Sequence, residues 1–253
     1  MLEEKNTLFE YLIYLGDNAL ILSHRLSEWC GHGPVLEQDI AMTNIALDIL
    51  GQARLWYQLA ASTDNRTLDE DQIAYLRDGN EFRNILLVEQ NNKNWGFTIM
   101  RQFIYDCFIT SYLELLRHSA HAEIAAIASR SFSESNYHYH WSYDWLQRLS
   151  LGTEKSKVIM QEALDELWRY HMEPIMEVGF EKEMQAVKIA ADLQQVSENY
   201  LNKLLGGIEK AGLKIPEGKY MMDGGKRGVH SEHLGYVLAE MQYLQRAYPG
   251  QEW

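Results

Sequence analysis

The sequence is short of positive charge: 23 Lys and Arg stand against 36 Asp and Glu, a formal net charge of −13. Proteins hold nucleic acid by replacing phosphate counterions with Lys and Arg, so this balance removes nucleic acid from the expected partners. Long apolar runs are also missing. No stretch approaches the roughly 18 residues that cross a bilayer, and the opening "MLEEKNTLFEYL" is acidic where a secretory signal is basic; a cytoplasmic chain that meets no membrane is expected. There are two cysteines, Cys30 and Cys107, in separate segments, and they form neither a CxxC pair nor a disulfide framework. Both are read as reduced thiols. β-Branched alternation over five or more residues is absent, which excludes an extended sheet. No Ser-His-Asp arrangement, P-loop or dinucleotide fingerprint is present either.

What the sequence does have is helical periodicity. At 253 residues one hydrophobic core suffices. The expected organisation is one all-α domain over 1–253, with a core bundle over about 7–150 and accessory helices over about 153–253. Leu8, Leu12, Leu15, Ala19, Leu22 and Leu26 step by fours and threes, the stripe of an amphipathic helix. "CGHGP" ends that helix and Pro34 opens a second. The second carries Leu36, Ile40, Leu47 and Leu50 on one face and Met42, Ile45, Ile49, Ala53, Trp56 and Ala60 on another, which predicts a central position. From Thr63 to Asn94 the period weakens, so a long crossover with short helical pieces is expected. Further helices are read over about 95–118 and 121–149, then a fifth ending near Met176. A less regular stretch follows over 179–220, and a last helix is capped by Ser231.

Polar residues interrupt the apolar faces in a pattern that asks for chemistry. Asn44, Asp48 and Gln52 recur every fourth residue, Asp106 sits in the apolar "RQFIYDCFIT", and Ser131, Ser135, His138 and Ser142 share one face of the fourth helix. A four-helix core that holds a di-iron pair supplies Glu from two helices and Glu-x-x-His from the other two. The positions three before the nine histidines are Ile21, Trp29, Leu115, His118, Ser135, Tyr137, Trp168, Arg227 and His230, and none is Glu. Asp48, Asp106 and His138 are therefore read as a buried hydrogen-bonded network. An irregular metal site of two carboxylates and one imidazole is the alternative.

The segments "YLGDNALILSHRLSEWCGHGPVLEQDIAMTNIALDILGQAR", "LLVEQ", "TIMRQFIYD", "SNYHYHWSYDWLQRLSLGT" and "GGKRGVHSEHLGYVLAEMQYLQRAYPGQEW" resemble the PaaC family of multicomponent phenylacetyl-CoA epoxidase subunits over nearly the whole chain. The resemblance implies a ferritin-like helical bundle and a structural, non-catalytic subunit. It also implies a partner catalytic A subunit that holds the di-iron centre, with no cofactor in this chain. The assembly of that family epoxidises the ring of phenylacetyl-CoA with oxygen, in aerobic phenylacetate catabolism. In the catalytic relatives the second helix reads Asp-Glu-x-Gly-His; laid on "DILGQ" this matches Asp48 and Gly51 and puts Ile49 and Gln52 at ligand positions. Their Glu-Glu-x-x-His, laid on "ESNYH", matches Glu134, Tyr137 and His138 and puts Ser135 where the ligand Glu belongs. Asp106 falls where the relatives keep an acid. On the first helix Asp17 and Leu20 both remain open. Asp48, Ile49, Gln52, Asp106, Ser135 and His138 are thus expected to mark a vestigial site that holds no metal.

Three other features carry expectations. Leu234, Val237, Leu238, Met241, Leu244 and Tyr248 form one apolar stripe and Trp253 ends the chain; Leu238, Met241, Tyr248 and Trp253 are candidate contacts with the catalytic partner. "GGKRG" is read as a flexible loop rather than a phosphate grip for a CoA ester. His230 and His233 flank a helix start, where capping outweighs metal binding. The favoured function is a structural subunit, with a homo-oligomer as the form open to the isolated chain. Against it stand an oxygenase or ferroxidase active in its own right and a CoA-ester binding module.

Overall fold

A computed structural model describes residues 6–64, 68–218 and 220–251, and every regular element among them is a helix. In chain order they are α1 (Thr7–Ser27), α2 (Leu36–Thr63), α3 (Glu70–Tyr75), α4 (Leu86–Glu89), α5 (Trp95–Leu116) and α6 (Ala122–Gly152). After these come α7 (Glu154–Leu167), α8 (Gly179–Ala186), α9 (Leu193–Lys210), α10 (Glu232–Met241) and α11 (Tyr243–Ala247). The long crossover between α2 and α5 holds short helical pieces, as its weak period suggested. The described residues divide into two compact units, one drawn from Met1–Asn91, Val178–Met184 and Gly224–Trp253, the other from Asn92–Glu177 and Gln185–Asp223.

In the first unit α1 and α2 run antiparallel: Asn6 at the start of α1 donates to the Thr63 carbonyl at the end of α2 at 2.7 Å. Gly16 permits their close approach, because a Cβ there would lie 2.4 Å from the Tyr57 ring. The α1 stripe from Leu12 to Leu26 is buried. Helix α2 is not central, contrary to expectation. Its Met42, Ile45, Ile49, Ala53, Trp56 and Ala60 face is buried, whereas Leu36, Ile40, Leu47 and Leu50 are exposed. Periodicity shows that a face is apolar and leaves open what covers it.

In the second unit α5 is the helix buried all round, with every residue from Gly96 to Leu113 enclosed. Helix α6 runs antiparallel to it: Asp106 meets Ser142, and Arg117 lies over the Phe132 ring at 5.0 Å. Helix α9 also packs on α5, with Gly207 so close to Phe103 that a Cβ would sit 2.4 Å from its Cζ. The helices after residue 153 form no layer of their own: α7 and α9 join α5, and α10 joins α1. The 179–220 stretch contains two regular helices, and Asp192 caps the second by accepting from Gln194 and Gln195. Trp56 and Trp168 are buried core residues, while Trp141 and Trp145 pack edge-on against Trp95 at 6.1 and 6.2 Å.

Candidate functional site

Asp17, on the buried face of α1, is fully enclosed, and every bond it makes lies within the first unit. The Arg77 guanidinium forks onto both its oxygens, Tyr57 Oη donates to Oδ1 at 2.6 Å, and the Arg83 backbone N–H donates to Oδ2 at 2.7 Å. Arg77 lies over the Phe82 ring at 4.2 Å and also donates to the Ile73 carbonyl at 2.6 Å and the Glu81 carbonyl at 3.1 Å. Burial works against the Arg77 charge, but Asp17, Tyr57 and Glu81 together outweigh it and raise the guanidinium further above its ordinary value. Burial, with the charge of Asp17, pushes the Tyr57 hydroxyl well up. A bidentate Arg–carboxylate pair with its remaining lone pairs satisfied is the arrangement that tolerates desolvation. The crossover supplies Arg77 and Arg83, which is why periodicity could not reveal them.

The same unit buries two more acids against bases. Glu89 accepts from His230 Nδ1 at 3.1 Å, from Asn84 at 3.2 Å and from the Ser231 N–H at 2.7 Å. His230 Nε2 meets the Phe82 carbonyl at 3.0 Å. A neutral imidazole donates once, so two acceptors require the charged ring. Burial opposes that charge, but Glu89, with the Phe82 carbonyl and Asp17, outweighs it and the His230 pKa is raised. Lys226 is equally enclosed, with Nζ 3.0 Å from both oxygens of Glu181. "GGKRG" is therefore neither flexible nor an anion grip: a Cβ on Gly225 would lie 2.1 Å from the Asn84 carbonyl, and Gly228 has φ +79° against Asn80. Ser231 does cap α10, accepting from the His233 N–H at 3.3 Å.

In the second unit no cation among the described residues pairs with Asp106. Gln102 Nε2 donates to Oδ1 at 2.8 Å, and Ser142 Oγ lies 2.7 Å from Oδ2. Burial pushes its pKa up to about 8, with the bonds from Ser142 and Gln102 opposing. Near neutral pH the acid is therefore largely protonated. Ser142 Oγ, which donates to Asp106, is also 3.2 Å from the Tyr139 carbonyl of its own helix.

Of the expected buried network of Asp48, Asp106 and His138, Asp48 stands in solvent rather than in the core. Asn44 and Asp48 are exposed and Gln52 is buried, since each fourth-residue step on a helix turns about 40° and the row winds from solvent into the core. His138 is buried on the α6 face with Ser131, Ser135 and Ser142, as its spacing indicated. The bonds of Asp106 go to Gln102 and Ser142 instead. Ile49 and Leu20 are core side chains, and Asp17 is engaged by Arg77. Among the described residues no three His, Cys, Asp or Glu side chains form a group that could hold a metal ion. This donor set does not fit a di-iron centre.

Two of the expected contact residues are closed as well. Leu238 and Met241 are buried in the first unit because α10 is fastened there: Arg25 donates to the His233 carbonyl at 3.0 Å and Gln242 to the Arg77 carbonyl at 2.9 Å. Tyr248 is exposed, and Trp253 lies outside the described residues. A cleft of about 550 Å³ beside α10 is lined by Asp78, Gly79, Gly235, Leu238, Tyr243 and Arg246 among others, but Arg246 is bonded to Asp78 at 2.8 Å. No described helix is long and apolar enough to cross a membrane.

Comparison with known proteins agrees with this architecture. The family model described as "Phenylacetic acid catabolic protein" matches residues 1–253. The chain is 43% identical over 248 residues, 98% of its own length and 100% of the relative's, to the C subunit of the 1,2-phenylacetyl-CoA epoxidase of Escherichia coli (strain K12). Its helices build the all-α, ferritin-like class expected from the sequence. The chain belongs to the phenylacetic acid catabolic protein family.

Proposed function

We propose that the chain is the non-catalytic C-type subunit of a di-iron phenylacetyl-CoA epoxidase, a cytoplasmic complex of aerobic phenylacetate catabolism. It binds and supports the catalytic A subunit, which holds the iron, and 1–253 works as a single functional domain. The relative of matching length supports the subunit role. The observation that carries the non-catalytic reading is Asp17: the acid on α1 that could serve a metal is held by Arg77, Tyr57 and the Arg83 N–H. Ile49, Gln52 and Ser135, at ligand positions by resemblance, add no carboxylate or imidazole.

The test is co-purification with the catalytic subunit, followed by metal analysis of each chain after anaerobic iron loading. The expected result is a stable complex with iron in the catalytic chain alone. Two tightly bound irons per copy of this chain, with oxygen consumption in its sole presence, would overturn the reading in favour of an independent oxygenase or ferroxidase.

A further inference from the structure

Before α10 the chain runs "GGKRGVHS", Gly224 to Ser231, across the crossover that joins α2 to α5. Gly224 and Gly228 take φ of +131° and +79°, backbone that glycine adopts without strain, and they bend the segment on either side of Lys226 and Arg227. Its approach to the crossover is close: a Cβ on Gly228 would lie 2.2 Å from the Asn80 carbonyl oxygen. Three charged groups fasten it there. Lys226 is held by Glu181, and Arg25 holds the His233 carbonyl. Between these two pins His230 reaches the Glu89 carboxylate with Nδ1 and the Phe82 carbonyl with Nε2. Glu89 also accepts from the Ser231 N–H on its other oxygen, so the ring and the backbone beside it close onto one buried carboxylate.

We propose that residues 228–232 are a proton-operated strap: a ring that donates from both nitrogens closes it on the crossover, and loss of one ring proton opens it together with the first turn of α10. A neutral imidazole donates once. One ring nitrogen is then left facing an acceptor oxygen with no hydrogen between them, and local opening to water relieves that contact. The opening stays local because Leu234, Val237, Leu238 and Met241 keep the rest of α10 buried. The charged groups that the surrounding elements bring to this cluster are Glu10, Asp17 and Arg25 on α1, Arg77, Glu81, Arg83 and Glu89 in the crossover, and Lys226, Arg227 and Glu232 on the ring's own side. Each is of a type that ordinarily titrates outside about pH 5 to 8, whereas histidine titrates inside it. Burial alone would lower the His230 pKa; Glu89, the Phe82 carbonyl and Asp17 turn the shift upward. His233, the next imidazole along the chain, contributes its backbone, donating to Ser231 and accepting from Arg25.

The experiment follows amide hydrogen exchange of the full-length chain by mass spectrometry across about pH 5.5 to 8.5, corrected for the intrinsic dependence of exchange on pH. Protection of residues 228–236 is expected to fall at least about tenfold as pH rises, while α1 stays protected. His230→Gln, neutral at every pH, is expected to exchange fast throughout with no pH dependence, and His233→Gln to keep the natural profile. Nitrogen NMR shifts of the His230 ring in the natural chain are expected to report two protonated nitrogens at the acid end and one at the alkaline end. A flat natural profile, a His230→Gln variant that keeps the pH dependence, a His233→Gln variant that loses it, or a ring with one protonated nitrogen at the acid end overturns the strap. Equal loss of protection in α1 and in the segment would assign the effect to global unfolding and overturn it as well. Should His230→Gln not fold, the ring shifts and the exchange profile of the natural chain decide by themselves.

Discussion

Each unit buries a carboxylate on a long helix, and the two solve the same problem differently. In the first, Asp17 is paired with Arg77, a base that does not titrate, and Glu89 with His230, a base that does. In the second, Asp106 has only an amide and a hydroxyl, and burial holds a proton on it. A buried acid is thus no sign of a metal site by itself: each of these three is satisfied by protein groups. The difference also sets how each unit answers mutation and pH.

The largest effect is expected from Arg77→Ala. It strands an enclosed carboxylate and should cost about 3–5 kcal/mol, read as a drop in the urea midpoint. The double variant Asp17→Leu, Arg77→Met should recover most of that loss; a single Arg77→Ala variant as stable as the natural chain would show that Asp17 needs no cation.

His230→Ala should cost about 1–3 kcal/mol, because Glu89 loses one of its donors in a buried site. Its pH signature is specific. The folded pKa of His230 is raised by Glu89, so the stabilisation is complete below the unfolded value of about 6.5 and is lost as pH rises through the folded value. Unfolding curves of the natural chain and the alanine variant should converge at alkaline pH; a constant gap would mean that the ring is not charged in the fold.

The smallest effect is expected from Asp106→Asn, which replaces a neutral acid by a neutral amide and should cost less than about 1.5 kcal/mol near pH 7. The folded state holds a proton that the unfolded chain releases near its ordinary value of about 3.9. The contribution of Asp106 therefore declines as pH rises from there to about 8. The asparagine variant should show a flatter stability profile across that window. An asparagine variant that loses as much as Arg77→Ala would indicate a charged Asp106 and erase the contrast between the units.

Legibility in the sequence followed the range of the interactions. The α6 face of Ser131, Ser135, His138 and Ser142 was readable because its members lie within about three turns and share one period. The α2 polar row was misread for a local reason, since a fourth-residue row turns about 40° at each step and crosses from one face to the other. Asp17 with Arg77 and Glu89 with His230 were unreadable for a different reason. Their members are 60 and 141 residues apart, and one member of each pair lies in irregular or connecting chain.

The sequence by itself determined the helices, the cap at Ser231, the absence of Glu-x-x-His pairs and the family, all of which rest on neighbouring residues or on a match of residues along the chain. Only the tertiary structure decided that α5 is enclosed and α2 is half bare, that Lys226 is spent on Glu181, and that one buried acid has an arginine partner while another has only an amide and a hydroxyl. Burial and the partner of a charge are properties of what surrounds a residue in space, and residues far apart in the chain supply those surroundings.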